Sequence, residues 1–161
     1  MKKSENIVLK SDQLYINEVE QFVEQICDEH NIYNSYYANI LTSVIEAYTN
    51  AVEHGNKFDP NKFVRITFNQ EQQGLSFQIQ DQGDGFDINK IPDPTDLSNE
   101  GIEGRGIFMI KALSDQVDFE DNGRSIKLSF RISSINREVA TKRADLFHHF
   151  INQSVKKEQN I

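Results

Sequence analysis

The sequence predicts an α+β fold: a two-layer α/β sandwich, with an antiparallel or mixed sheet carrying helices on one face. Three observations predict it. Segments that alternate with period two are interspersed with segments of helical period. The strands come mostly as close neighbours joined by short turns, which builds hairpins rather than crossover units. The chain has 161 residues, the size of one ordinary domain. At that length about 70% of the unfolded surface can be buried with no disulfide or metal.

Each element follows from its residues. Ile7, Val8 and Leu9 form a short apolar run suited to an edge strand. Ser11 or Asp12 is an N-cap residue type. Ile16, Val19, Phe22, Val23, Ile26 and Cys27 then recur at helical spacing, which places Cys27 in a core. A second helix begins near Asn34 or Ser35, with Tyr37, Ile40, Leu41, Val44, Ile45, Tyr48, Ala51 and Val52 on its apolar face. It stops at Gly55-Asn56, and Pro60 bars its continuation. From Lys62 to Asn69, Phe63, Arg65 and Thr67 alternate with Val64, Ile66 and Phe68 as in a strand. Gly74 turns the chain into a partner strand from Leu75 to Asp81, with Leu75, Phe77 and Ile79 on one face. Residues Gln82 to Glu103 read as one long irregular segment containing Pro92 and Pro94. A stretch of that length inside a domain is usually functional, often a lid. A short helix fits Ile107 to Leu113, and strands Gln116–Glu120 and Ser125–Ile132 flank a turn at Asn122-Gly123. A last helix starts near Asn136, with Val139, Leu146, Phe147, Phe150, Ile151 and Val155 on one face. We divide the chain into a domain over 1–133 and a helical extension over 134–161.

Composition excludes several classes of function. There are 25 acidic and 17 basic residues, a net charge of −8. That sign argues against direct binding to nucleic acid or to an anionic membrane. The single cysteine, Cys27, permits neither an internal disulfide nor a zinc finger, and suits a reducing compartment. The longest apolar run is four residues, Ile107 to Ile110, far short of a membrane span, and the first residues lack a signal-peptide core. The expectation is a cytoplasmic protein.

Glycine marks where chemistry is expected. Five of the eight glycines fall between Gly83 and Gly106. Asp81-Gln82-Gly83-Asp84-Gly85-Phe86 follows a strand, and Gly104-Arg105-Gly106 opens a helix. A glycine-rich entry to a helix N-terminus offers free N–H groups to phosphate oxygens. It is neither a Walker loop nor a Rossmann fingerprint, because no Gly-Lys-Ser/Thr follows and the order of strand and glycines is wrong. Asp81, ending a strand, can accept a hydrogen bond from an exocyclic amine such as that of adenine. On the second helix, Glu46 and Asn50 are four residues apart and share a face. Glu46 fits either a solvated helix edge or a residue acting on a nucleophile beside a phosphate. Asn50 is a poor helix former mid-helix, and its carbonyl oxygen is a hard donor suited to Mg²⁺. His54, one turn further, fits a helix-terminal histidine as well as a phosphate contact.

These residues carry a family resemblance. Glu46-Ala47-Tyr48-Thr49-Asn50-Ala51-Val52-Glu53-His54-Gly55 resembles the N-box of the GHKL (Bergerat-fold) ATPases. Asp81 to Phe86 resembles their first glycine box, and Gly104-Arg105-Gly106-Ile107 the second. Three boxes in the right order are specific where each alone is weak. The segment Ile91-Pro92-Asp93-Pro94 and the run from Gly104 to Ile110 are most similar to the anti-sigma-factor serine kinase branch. The resemblance spans about Ile7 to Ile132. It implies a two-layer α/β sandwich, ATP with Mg²⁺, a bound sigma factor, and phosphorylation of a serine on an anti-anti-sigma protein. It also implies roles. Glu46 would be the general base, Asn50 the Mg²⁺ ligand, and Asp81 the reader of the adenine amine. Gly83 and Gly85 would let the backbone pass the nucleotide. Gly104 and Gly106 would wrap the phosphates, with Arg105 reaching the γ-phosphate. Ser125 sits where the family tends to place a Thr or Ser near the adenine-reading Asp. The extension from Asn136 is a departure from the short kinases, and it leaves docking, a homodimer, or packing on its own domain open. The alternatives are a nucleotide-binding regulator without kinase activity and a histidine-kinase-like ATPase module.

Overall fold

The computed structural model describes residues 4–32, 34–85, 105–132, 145–153 and 156. Strand β1 is Ser4–Lys10, followed by a one-turn 3₁₀ segment Gln13–Tyr15 and helices α1 (Ile16–Glu29) and α2 (Asn34–Asn50). A π-helical turn, Ala51–Gly55, extends α2. Then come β2 (Phe63–Glu71), β3 (Gly74–Gln80), α3 (Arg105–Leu113), β4 (Gln116–Glu120) and β5 (Ser125–Arg131). The sheet has order β1-β2-β3-β5-β4 and every pairing is antiparallel. The mixed-sheet option is thereby removed, and the α+β sandwich stands.

Parity along each strand decides which face is covered. In β2, Val64, Ile66 and Phe68 are buried while Phe63 and Arg65 are exposed. In β3, Leu75, Phe77 and Ile79 are buried, and Phe77 pairs with Leu128 and Ile79 with Ile126. That face packs on Val19, Val23 and Ile26 of α1, on Ile40, Val44 and Tyr48 of α2, and on Ile110 of α3, all completely buried. Phe68 and Phe77 meet at 5.5 Å between ring centroids, and Phe22 stands edge-on to Phe77 at 6.3 Å. Cys27 is buried among them, which pushes its thiol up to about 12. Tyr48 carries its hydroxyl to the carbonyls of Lys10 and Asp12, at 2.9 and 2.7 Å, and so ties the end of β1 to α2.

Several boundaries differ from the sequence expectation. The edge strand starts at Ser4 rather than Ile7, because backbone pairing with Phe63–Asn69 carries its polar first residues. Asp12 does act as a cap, but of the 3₁₀ turn: its Oδ1 accepts from Leu14 N at 2.9 Å. Helix α3 begins at Arg105, two residues earlier than expected. The expected lid, Gln82–Glu103, lies outside the described residues from 86 onward, as do Val139 and Val155 of the last apolar stripe. Residues 145–153 are helical, and Leu146, Phe147, Phe150 and Ile151 on that helix are exposed.

Candidate nucleotide site

The site is framed by the C-terminal half of α2, the start of α3 and the end of β3. Helix α3 packs on α2, with Ile110 in the shared core, and Gly106 lies directly over the Glu46–Asn50 pair. A Cβ on Gly106 would lie 3.0 Å from Glu46 Oε2 and 3.1 Å from Asn50 Nδ2, so only glycine leaves both side chains undisturbed. A carboxylate, an amide oxygen and the first turn of a helix therefore share one wall. Glu46 and Asn50 are both half-buried. The N-terminal N–H groups of α3 are unpaired within the helix by construction and carry the positive end of its dipole. Gly104 lies outside the described residues. Arg105 opens α3, and its side chain is likewise outside the description.

The second wall is built at the end of β3. Asp81 continues the parity of Phe77 and Ile79, so its carboxylate points to the helical layer. It is half-buried there. Burial pushes its pKa up, while the N–H of Gly83 and the charges of Arg124 and Lys62 pull it down; the upward shift prevails. Gly55, at the end of the π turn, lies against this carboxylate, and a side chain there would collide with Asp81. Gly83 in turn lies against the carbonyl of Gly55. Gly85 has φ +82°, a conformation that glycine adopts freely, and packs on the carbonyl of Asn122.

Two expected residues make other contacts. His54 is 68% exposed, and its ring faces its neighbour Glu53 at 3.8 Å. Ser125 pairs with Gln80, whose parity is opposite to that of Asp81. Its hydroxyl accepts from Gln78 Nε2 at 2.9 Å on the outer sheet face. The structure does not bring it to Asp81. The residue opposite Asp81 is Arg124, whose carbonyl accepts from Asp81 N at 2.9 Å.

The histidine kinase-like ATPase domain matches residues 9–130, three quarters of the chain. The chain belongs to this family of histidine kinase-like ATPase domains. Among similar proteins is the serine-protein kinase RsbW of Bacillus licheniformis, 33% identical over 110 residues, covering 62% of this chain and 66% of the relative. The RsbW of Bacillus subtilis is 34% identical over 93 residues, covering 52% of this chain and 57% of the relative. This chain thus spans somewhat less than two thirds of those relatives. The RsbU and RsbW domains of a Mycobacterium tuberculosis protein share the fold at a TM-score of 0.60 and 18% identity, covering 81% of this chain and 33% of that one. The family match encloses the three boxes, Glu46 to Ile107, and nearly coincides with the wider resemblance over about Ile7 to Ile132.

Two residues of the ATPase domain escaped the sequence reading. Asn56 is buried, donates from Nδ2 to the Phe63 carbonyl at 2.9 Å, and accepts at Oδ1 from Gln82 N at 2.7 Å. Arg124 donates from Nε to the Gly83 carbonyl at 2.9 Å. The only sequence signal was position: one follows the N-box and the other the Asn122-Gly123 turn.

Proposed function

We propose that this chain is a Mg-ATP-dependent serine kinase that phosphorylates an anti-anti-sigma protein and binds a sigma factor, the two competing for it by partner switching. The observation that carries the reading is Gly106 seated on Glu46 and Asn50 at the start of α3. Phosphoryl transfer needs positioning and charge stabilisation above all, and that wall offers both. Asp81 reads the exocyclic amine of adenine. Glu46 takes the proton of the attacking serine hydroxyl while its oxygen bonds to the γ-phosphorus and ADP departs. Gly106, with Gly104 and Arg105, would wrap the phosphates, and Gly83 and Gly85 let the base-reading turn close against the Gly55 and Asn122 carbonyls. The kinship to RsbW serine-protein kinases supports the choice of serine.

The donor set fits Mg²⁺. Among the described residues no group of three or more His, Cys, Asp or Glu is arranged to hold a metal ion. The amide oxygen of Asn50, a hard donor beside the first turn of α3, would be its main protein ligand, with nucleotide oxygens and water completing the shell, as Mg²⁺ prefers. When bound, the ion neutralises phosphate charge. Among the described residues no helix is long and apolar enough to cross a membrane, and we place the protein in the cytoplasm. A homodimer belongs to the same proposal.

The test is transfer from radiolabelled ATP to candidate anti-anti-sigma proteins, alongside a pull-down for sigma factors. Label on a partner serine is the expected result. Nucleotide binding with no transfer to any candidate would favour a non-catalytic regulator, and label retained on a histidine would favour a histidine-kinase-like module.

A further inference from the structure

The turn Asp81–Gly83 is held at every backbone N–H. Asp81 N donates to the Arg124 carbonyl at 2.9 Å, Gln82 N to Asn56 Oδ1 at 2.7 Å, and Gly83 N to Asp81 Oδ1 at 2.8 Å. The Gly83 carbonyl accepts from Arg124 Nε at 2.9 Å. Two side chains outside the three boxes thus grip the turn from different elements. Asn56 is itself fixed, by its own N–H to the Ala51 carbonyl at 2.8 Å and by Nδ2 to Phe63. Arg124 is fixed by Nη1 to Asp121 Oδ1 at 3.1 Å. The Asp121–Gly123 turn behind it has positive φ at all three residues, 50°, 54° and 84°.

A hydrogen-bonding group that must tell an amine from a carbonyl has to be held to within about 0.5 Å. Asp81 has one oxygen engaged by Gly83 and the other lying against Gly55, so its orientation follows the turn. We propose that Asn56 and Arg124 are positioning residues that set the base selectivity of the site. They hold the turn so that the Asp81 carboxylate accepts from the 6-amino group of adenine and opposes a 6-oxo purine. This rests on the reading of Asp81 as the base-reading residue.

Calorimetry of the full chain with ADP and with inosine diphosphate tests it. The wild type favours ADP by about tenfold or more, the size of one charge-assisted hydrogen bond, and Asp81→Asn removes that preference. Arg124→Ala and Asn56→Ala cut the ADP preference by about fivefold or more, chiefly by weakening ADP. Asn56 is buried and its variant is at greater risk of misfolding; the Arg124 side chain is one-third exposed, which keeps the test available. A merely structural role lowers thermal stability and leaves the preference unmoved. A folded Arg124→Ala with the wild-type preference overturns the inference. An Asp81→Asn with the wild-type preference overturns the reading of Asp81 itself and the inference with it, so the variant that fails to respond tells the two failures apart.

Discussion

Asp81, Glu46 and Cys27 each combine burial with an ionisable group, and their surroundings give them different chemistry. Burial raises the Asp81 carboxyl more than Gly83 N–H, Arg124 and Lys62 lower it. A carboxyl whose folded pKa is raised binds its proton more readily in the folded state. Its contribution to stability is therefore complete below the usual carboxylate range of about 4 and is lost as pH rises through the raised value. Asp81→Asn should melt at or above the wild-type temperature at pH 7, with the gap closing as pH falls below about 4. A variant that melts lower at pH 7 would contradict this. The same substitution should weaken ADP, so Asp81 trades stability for binding. Glu46→Gln changes only the proton acceptor. It should keep nucleotide affinity and lose about 10²–10⁴-fold in phosphotransfer, measured on a partner serine. Equal rates would return Glu46 to the role of a helix-edge residue. The buried Cys27 thiol, pushed up to about 12, should resist aromatic disulfide reagents in the folded protein and react on unfolding.

The elements differ in how far their residues announced them. Helix α2 was legible because a face of Ile40, Val44, Tyr48, Ala51 and Val52 admits only helical spacing, and Glu46 and Asn50 follow from the same spacing. The π turn was not legible. A shift from α to π hydrogen bonding leaves apolar spacing nearly unchanged, yet the turn ends with Gly55 against the Asp81 carboxylate. The faces of β3 were legible from Leu75, Phe77 and Ile79, and they carry Asp81 to the helical side. The face of Ser125 was not, since one residue more or less in the Asp121–Gly123 turn reverses it. Asn56 and Arg124 stayed hidden because their work depends on contacts between distant segments. At this scale Gly55→Ala is informative: its methyl collides with the Asp81 carboxylate. ADP affinity should fall by about tenfold or more while far-ultraviolet circular dichroism stays native, and unchanged affinity would separate Gly55 from the site. The helix over 145–153 exposes Leu146, Phe147, Phe150 and Ile151. Deleting 136–161 should leave the melting temperature and ADP binding near wild type. A loss of several kcal/mol, the worth of burying two Phe and two aliphatics at about 1.5–3 kcal/mol each, would show that the helix covers the core instead.

At the scale of the whole molecule, charge is the constraint. The chain carries −8, the segment from Asp81 to Gly106 holds seven acids and two bases, a net −5, and the nucleotide proposed to bind is itself an anion. Backbone amides at α3, Arg124 beside Asp81 and a divalent ion must together outweigh that repulsion. Arg124 is committed to Gly83 and Asp121, so beside Arg105 the proposed Mg²⁺ would be the largest positive charge at the phosphates. Nucleotide binding should therefore be coupled to Mg²⁺, and folding stability reports the coupling, because a ligand that binds only the folded state stabilises it by about 2.7 kcal/mol at a hundredfold excess over Kd. For a chain of this size that corresponds to a rise of about 5–10 °C in Tm. ADP with Mg²⁺ should give such a rise in the wild type. ADP with EDTA should give almost none, and Asn50→Ala should lose the rise even with Mg²⁺ present, while its melting without nucleotide stays close to wild type. An equal rise with and without EDTA would mean that amides and side chains alone carry the phosphate charge, and Asn50 would lose its role as the metal ligand.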